Sequence, residues 1–205
     1  MSTMCLQAKG GRLNFVGLDG HVLAWDKIDY DGEFELLIPK NTIDKLKTLG
    51  LTGEVRIRHS NAMAIFATED FEICTRLVQG EYYKYQNMFK ELPLHTVISR
   101  KELLDAMVRA KMCTAEKCPV KFEIAGSQLG LSIKDQTTDY HETVDLQENI
   151  SEELTIGFDA RLVIETLKAF DCDNVGISLQ SPKMPMIIEA EDSDFKTIVL
   201  PVAIK

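Results

Sequence analysis

The sequence predicts an α+β protein in which helices lie on one face of antiparallel sheets. Three observations carry this prediction. A strand–helix pattern recurs at a near-constant spacing, the runs between the helices alternate apolar and polar residues, and turn residues separate those runs. The 205 residues, of which 45% are hydrophobic, suffice for one large domain or two ordinary ones.

The recurring pattern is a short apolar strand, a polar break and an amphipathic helix. Its copies are LLIPKNTIDKLKTLG (36–50), TVISRKELLDAMVRAKM (96–112) and LTIGFDARLVIETLKAF (154–170). The strands end at Ile38, Ile98 and Ile156, which are 60 and 58 residues apart. A period this regular indicates a structural repeat.

Three strands are predicted after each helix, so the repeat unit is β-α-β-β-β. They are EVRIRHS, AMAIFATED and FEICTRLVQG, then VKFEIAGS, QLGLSIKDQ and YHETVDLQ, and finally NVGISLQS, MPMIIEAED and FKTIVLPVAI. Turn residues separate these runs, for example Gly126-Ser127. Because proline cannot donate to a strand ladder, Pro201 predicts a sheet edge or a strand end.

The first thirty residues match only the second half of this unit. CLQAKG, RLNFVGLD and HVLAWDKI are predicted to be three strands, and no strand and helix precede them. The chain therefore contains three complete units and the end of a fourth. We expect a fragment of a longer chain or a product of an internal start at Met1.

The helices are predicted to be apolar on one face and basic on the other. The predicted core faces are Leu103, Leu104, Met107, Val108 and Ala110 in the second helix, and Leu162, Val163, Thr166, Leu167 and Phe170 in the third. The three helical stretches carry nine basic and five acidic residues, or +4, which leaves −13 for the rest of a chain at −9. Charges on solvated helix faces scatter by chance, but the repeat favours a helical side that meets an anion.

Composition excludes several classes of protein. A net charge of −9 argues against a wholly basic nucleic-acid-binding surface. The five cysteines are scattered without ligand spacing, so we expect free thiols in a reducing cytoplasm. No signal peptide, membrane span, glycine-rich phosphate loop or metal-ligand set is visible, and we expect no cofactor and no bound metal.

Two local motifs each allow two interpretations. Asp19-Gly20-His21 is either a hairpin turn or, in a small hydrolase, a base with its orienting carboxylate; turn chemistry favours the hairpin, and no nucleophile motif accompanies the histidine. QGEYYKYQNMFKELP (79–93) is either a connector held in place by its tyrosines or a lip that binds a partner.

Taken together, five motifs resemble the β subunit of bacterial DNA polymerase III, the sliding clamp. They are LDGHVLAW, LLIPKNTIDKLKTL, RLVQGEYYKY, IGFDARLVIETLKAF and VLPVAI, in an order and spacing that cover nearly the whole chain. The resemblance implies the DNA-clamp fold, with an N-terminally truncated middle domain at 1–91 and the C-terminal domain at 92–205.

The resemblance implies a processivity factor without catalytic residues. It would encircle duplex DNA without reading sequence and bind short peptides of polymerases, the clamp loader and repair proteins. The full-length form would be a head-to-tail ring of two subunits, which we do not expect this chain to form. The helix residues predicted to face DNA are Lys45, Lys47, Arg100, Lys101, Arg109, Arg161 and Lys168.

The peptide groove that the resemblance implies lies between the second and third domains. Its residues would be Gly20, His21, Val22, Leu23, Tyr83, Asn87, Met88, Asp159, Leu162, Ile198, Leu200, Pro201, Val202, Ala203 and Ile204. Val22 and Ala203 stand where the family pattern has arginine, and Tyr83-Lys84-Tyr85 replaces its Pro-Asp-Tyr. An alternative keeps the fold but makes this chain a regulatory form that competes for clamp partners without closing a ring.

Overall fold

The computed structural model describes residues 3–50, 53–113, 119–134 and 138–204, which divide into two units, Met1–Gln86 and Asn87–Lys205. A short 3₁₀ helix, Tyr85–Met88, lies at the division. The predicted domain boundary at residue 91 stays a prediction. None of the helices in these ranges has the length and apolar character needed to cross a membrane.

The first unit has two antiparallel sheets and one helix. Its elements are β1 (Thr3–Lys9), β2 (Arg12–Leu18), β3 (Val22–Asp29), β4 (Phe34–Pro39), α1 (Lys40–Thr48), β5 (Arg56–His59), β6 (Met63–Ala67) and β7 (Glu72–Arg76). The strand orders are β4-β1-β2-β3 and β5-β6-β7. Alternate strand positions share a face, so Leu6, Leu36 and Phe66 meet in one core, against which Ile43 of α1 packs.

The second unit has two helices. Its elements are β8 (Leu94–Ser99), α2 (Arg100–Cys113), β9 (Val120–Lys134), β10 (Asp139–Phe158), α3 (Ala160–Lys168), β11 (Asn174–Leu179), β12 (Met186–Ala190) and β13 (Lys196–Val199). The strand order is β13-β12-β11-β8-β10-β9. Helix α2 contacts α3, β8, β9, β10 and β11, and α3 contacts β13.

These elements confirm the predicted α+β class and the recurrence of strand, helix and strands. The three copies begin with β4-α1, β8-α2 and the end of β10 followed by α3. Strand β13 ends at Val199, two residues before Pro201. This agrees with the prediction that Pro201 marks a strand end. In α2 and α3 the fourth helical residue, Leu103 or Val163, is 0% exposed, so these two copies bury the same side of the helix.

The turn predicted at Gly126-Ser127 is wrong. Strand β9 continues through it for 15 residues, and β10 likewise joins two predicted strands into one of 20 residues. Gly126 has φ +58° and pairs with Ile150, and the register between the strands shifts on both sides of that pair. Glycine permits a positive φ without steric cost, so here it bends a continuing strand instead of ending it.

The predicted helix faces need one correction. Leu103, Met107, Val163 and Leu167 are each 0% exposed, as expected for the core side. Val108, predicted to lie with them, is 40% exposed. At 100° per residue, Val108 lies about 140° around the helix from Leu103, beyond the stripe that faces the sheet.

Candidate functional site

Asp19 and Gly20 form the predicted hairpin turn between β2 and β3. The Asp19 carboxylate accepts the backbone N–H groups of His21 and Val22 at 2.9 and 2.8 Å, and Gly20 has φ +95°. The backbone N–H of Asp19 donates to the carbonyl of Val22 at 3.2 Å. This is an Asx-type turn, in which the aspartate closes the loop through its own side chain.

The same geometry gives the hydrolase interpretation no support. The Asp19 carboxylate is engaged by backbone N–H groups, whereas a catalytic histidine needs an acid that orients its ring. The side chain of His21 is exposed. Among the described residues, no group of three or more His, Cys, Asp or Glu side chains could hold a metal ion.

Two tyrosines of the predicted connector are anchored within the first unit. Tyr85 is 1% exposed, donates to Gln7 at 3.0 Å and meets Trp25 edge-on at a centroid distance of 5.2 Å. The Tyr82 hydroxyl reaches the backbone carbonyls of Thr3 and Val16. Tyr83, in contrast, is 68% exposed. The connector is thus held by its tyrosines and still presents one aromatic ring to solvent.

Asp159 caps the N-terminus of α3. Its carboxylate accepts the backbone N–H of Arg161 at 2.8 Å and a guanidinium N–H of the same residue at 2.9 Å. These hydrogen bonds from Arg161 lower the pKa of Asp159. An ionised carboxylate also interacts favourably with the positive end of the helix dipole.

The C-terminal segment lies directly on the strand that leads into α3. The backbone N–H of Val202 donates to the carbonyl of Gly157 at 2.8 Å. A Cβ atom at Gly157 would lie 2.7 Å from Cγ1 of Ile204 and 2.8 Å from the carbonyl oxygen of Val202. The segment can approach this closely only because residue 157 has no side chain.

In the second unit, the structure therefore brings two separate parts of the predicted groove together. Residues 200–204 lie beside Gly157, two residues before Asp159 and five before Leu162. The side chains of Leu162, Leu200, Pro201 and Val202 are partly exposed, and Ala203 and Ile204 are exposed. Asn87 and Met88, also exposed, lie at the start of this unit.

Two residues predicted to line the groove are buried. Leu23 and Ile198 are each 1% exposed, because their positions in β3 and β13 point into the core. They support the neighbouring residues but do not present surface to a ligand. Gly20 and His21 are exposed and Val22 is partly exposed. That these first-unit residues and the second-unit residues bind one peptide stays a prediction.

Most of the helix cations predicted to face DNA already have acidic partners. Lys101 pairs with Asp105 at 2.8 Å, and Lys168 lies 3.6 Å from Glu165. Arg161 is held by the capping Asp159. These three cations are thus locally neutralised by carboxylates of the same helix or its cap, and such exposed ion pairs contribute little to stability in water.

Arg109 and Arg100 are fixed more firmly. Arg109 forms a two-pronged ion pair with Glu142, and its hydrogen bonds lower the pKa of that carboxyl group. Arg100 is partly buried, and its guanidinium donates to the backbone carbonyl of Cys172. Lys45 and Lys47 lie exposed in the last turn of α1.

The sequence did not reveal a histidine–serine pair in the second unit. His95 Nδ1 lies 2.9 Å from Ser178 Oγ, because these residues are opposite each other on β8 and β11. No described acidic side chain is hydrogen-bonded to His95, so the pair lacks the third member of a triad. This pair could have been predicted only from the register of β8 against β11.

The cysteines in the described ranges form no disulfide bond. The four cysteines in the described ranges, Cys5, Cys74, Cys113 and Cys172, are free; Cys118 lies outside those ranges. Burial raises the pKa of Cys5 to about 12, which keeps it as an unreactive thiol.

The repeated strand–helix units and the structural comparisons define the fold as that of the sliding clamps. A crystal structure of a putative DNA polymerase III β subunit from Eubacterium rectale matches with a TM-score of 0.90 at 25% identity, over 98% of this chain and 56% of that one. The sliding clamp of Pseudomonas aeruginosa, solved bound to griselimycin, matches with a TM-score of 0.91 at 23% identity, over 98% and 57%.

The sequence comparisons give the family. The family model for the DNA polymerase III β subunit, C-terminal domain, matches residues 90–203, so the chain belongs to this family. The β sliding clamp of Streptococcus pneumoniae is 26% identical over 203 residues, which cover 93% of this chain and 53% of that protein. The chain spans about half the length of the curated relatives it matches.

Replacing Gly157 with alanine should loosen the C-terminal segment. The new Cβ would clash with the backbone of Val202, which cannot rotate away, so residues 200–204 must move. We expect faster amide hydrogen exchange at Val202. Gly130→Ala is the matched control, because its Cβ meets nothing closer than 3.5 Å. Unchanged exchange at Val202 in Gly157→Ala contradicts the packing described above.

Replacing Asp159 with alanine should lower the free energy of unfolding by about 1 kcal/mol at neutral pH, since the cap of α3 is lost. The folded pKa of Asp159 is lowered, so its contribution is present above the ordinary aspartate pKa and disappears as the pH falls through the folded value. Urea unfolding at neutral and strongly acidic pH measures this difference. Glu153→Ala, at an exposed position of β10, is the control. A pH-independent difference contradicts the assignment.

Proposed function

We propose that the chain acts as a DNA sliding clamp, a non-catalytic processivity factor of the bacterial replicative polymerase. The observation that carries the proposal is the family match over residues 90–203, together with the repeated strand–helix units. Because the relatives are bacterial, the proposal implies a cytoplasmic location with chromosomal DNA.

A clamp holds DNA by surrounding it, so weak contacts suit it better than strong ones. Each phosphate neutralised by a lysine or arginine adds to affinity and makes binding dependent on salt. Lys101, Arg161 and Lys168 each form an ion pair with an acidic neighbour. Because these cations are partly neutralised, their attraction to the phosphates of duplex DNA would be weak and independent of sequence. Lys45 and Lys47 are the more available cations on α1.

The second proposed activity is the binding of short peptides from polymerases, the clamp loader and repair proteins. In the second unit, the surface formed by Leu162 and residues 200–204 supports it, since these side chains are apolar and partly exposed. The hydrogen bond from Val202 to Gly157 holds this surface in one shape before a peptide arrives, which lowers the entropic cost of binding.

In the first unit, the proposal keeps Gly20, His21, Val22 and Tyr83 as further contact residues. The Asx turn orients His21 and Val22, and Tyr83 offers an exposed aromatic ring, a residue type enriched at binding surfaces. Val22 and Ala203 carry no charge where the family pattern has arginine. The proposed surfaces therefore favour apolar anchors over acidic flanking residues.

A peptide titration tests this proposal. A fluorescent peptide with two adjacent apolar anchor residues should bind saturably, with a micromolar dissociation constant, in fluorescence anisotropy. Leu162→Asp and removal of residues 201–205 should each abolish binding, because they place a charge in the apolar surface or delete it. Both variants leave the buried Ile198 and Val199 in place.

Met184→Asp is the matched control, since Met184 is an exposed apolar residue of the same unit, 42% accessible, outside the proposed surface. Binding that Leu162→Asp does not alter, or that Met184→Asp abolishes equally, refutes the peptide surface.

The alternative function is a partner-binding form that does not close a ring. Sedimentation with and without circular duplex DNA separates the two functions. A ring-forming clamp remains on closed circles and slides off linear DNA, whereas the alternative predicts peptide binding without retention on either.

A further inference from the structure

The hydroxyl group of Thr166, on α3, is buried in the second unit without a hydrogen bond. Thr166 is 5% exposed, and its Oγ1 atom has no hydrogen-bond partner among the described residues. A buried polar group without a partner costs free energy, and an apolar side chain of the same shape avoids that cost. Other buried threonines of the described ranges do form hydroxyl hydrogen bonds, namely Thr42, Thr75, Thr96 and Thr197.

The position of Thr166 on α3 relates it to the proposed peptide surface. Thr166 follows Leu162 by four residues, so the two side chains lie one above the other on the same side of the helix. Helical side chains point back towards the N-terminus of the helix, which directs the Thr166 side chain towards Leu162. Leu162 is partly exposed and belongs to the proposed peptide surface. The hydroxyl group thus lies one helical turn behind that surface.

Thr166 also lies at the margin of the buried face of α3. Val163, three residues before it, is 0% exposed, whereas Ala169, three residues after it, is exposed. Movement of the Leu162 side chain is therefore enough to uncover the hydroxyl group, and no core residue has to leave its place.

The surroundings of Thr166 exclude a charged partner. Val163 and Leu167 are each 0% exposed and apolar. Glu165 and Lys168, the charged residues nearest in sequence, are exposed and lie 3.6 Å from each other. A charge placed against buried apolar side chains costs much more free energy than an uncharged polar group. A ligand group that meets the hydroxyl must therefore be polar and uncharged.

We propose that Thr166 is a specificity-determining residue of the peptide surface: its hydroxyl group forms a hydrogen bond with an uncharged polar side chain that a bound peptide places beside its apolar anchors. This inference rests on the peptide binding proposed above. A primary amide suits the hydroxyl group, because each can donate and accept.

The unpaired hydroxyl group gives the surface its selectivity. A peptide that carries the amide gains a hydrogen bond, whereas an apolar side chain of similar size leaves the hydroxyl group buried and unpaired. The free chain bears the cost of the unpaired group, and the correct peptide removes it. Such a local loss of stability is expected at a functional site.

A double-mutant cycle tests the inference. Two fluorescent peptides share a pair of adjacent apolar anchors and differ at one residue beside the pair, first before it and then after it. That residue is asparagine in one peptide and the similarly sized leucine in the other. Fluorescence anisotropy on the full chain gives the ratio of their dissociation constants. At one of the two positions, Thr166→Val should shift this ratio about fivefold in favour of leucine, the effect of one hydrogen bond.

Two further variants complete the cycle. Thr166→Ser keeps the hydroxyl group and should retain the ratio of the unmodified chain. If Thr166→Val does not fold, Thr166→Ala removes the hydroxyl group in its place.

Thermal unfolding gives a second measurement. Thr166→Val should raise the Tm, because it removes an unpaired buried group with little change of shape. Thr42→Val is the matched control, since Thr42 is 6% exposed and its hydroxyl oxygen lies 2.7 Å from that of Thr75. This control should lower the Tm, because it breaks that hydrogen bond, and should leave the peptide ratio unchanged.

Two outcomes overturn the inference and leave the proposed peptide binding standing. One is a peptide ratio that loss of the Thr166 hydroxyl group does not alter at either position. The other is a Tm that falls in Thr166→Val as it does in Thr42→Val, which shows that the hydroxyl group is hydrogen-bonded in the free protein. Failure of every peptide to bind the unmodified chain refutes the proposed peptide surface and this inference with it.

Discussion

The second unit depends on the burial of two helices side by side over a bent antiparallel sheet. Leu103 and Met107 of α2 and Val163 and Leu167 of α3 lose all contact with water. Complete burial of side chains of this size contributes about 1.5–3 kcal/mol each. Because α2 packs on α3 and four strands at once, this contact holds together segments that are distant in the sequence.

Two glycines shape the strands of this sheet. Gly126, with φ +58°, lies where the register between β9 and β10 shifts, so that both halves of β9 pair with β10. Gly157 lets the C-terminal segment lie against the strand that leads into α3. The absence of a side chain at Gly157 thus also shapes the surface proposed for peptide binding, and a change there would alter the packing of residues 202–204 and that surface together.

Several basic residues of the helices are paired with nearby carboxylates. The helices carry an excess of basic residues, but the structure pairs Lys101, Arg109 and Arg161 with carboxylates on the same helix, its cap or a neighbouring strand. The helix charge count already subtracts Asp105 and Asp159 but not Glu142 of β10, so it omits the carboxylate that neutralises Arg109. For a proposed clamp this is an advantage, since tight phosphate contacts would hinder sliding along DNA.

The sequence by itself determined the class of fold and the order of elements, because alternation and helical periodicity are local properties that each segment carries alone. It also determined the turn at Asp19-Gly20, where the side chain bonds to its own loop. Only the tertiary structure decided the bend at Gly126, the burial of Leu23 and Ile198, the pairing of Arg109 with Glu142 and the contact between Val202 and Gly157. These features arise from strand register and from contacts between residues far apart in the chain, which no local pattern specifies.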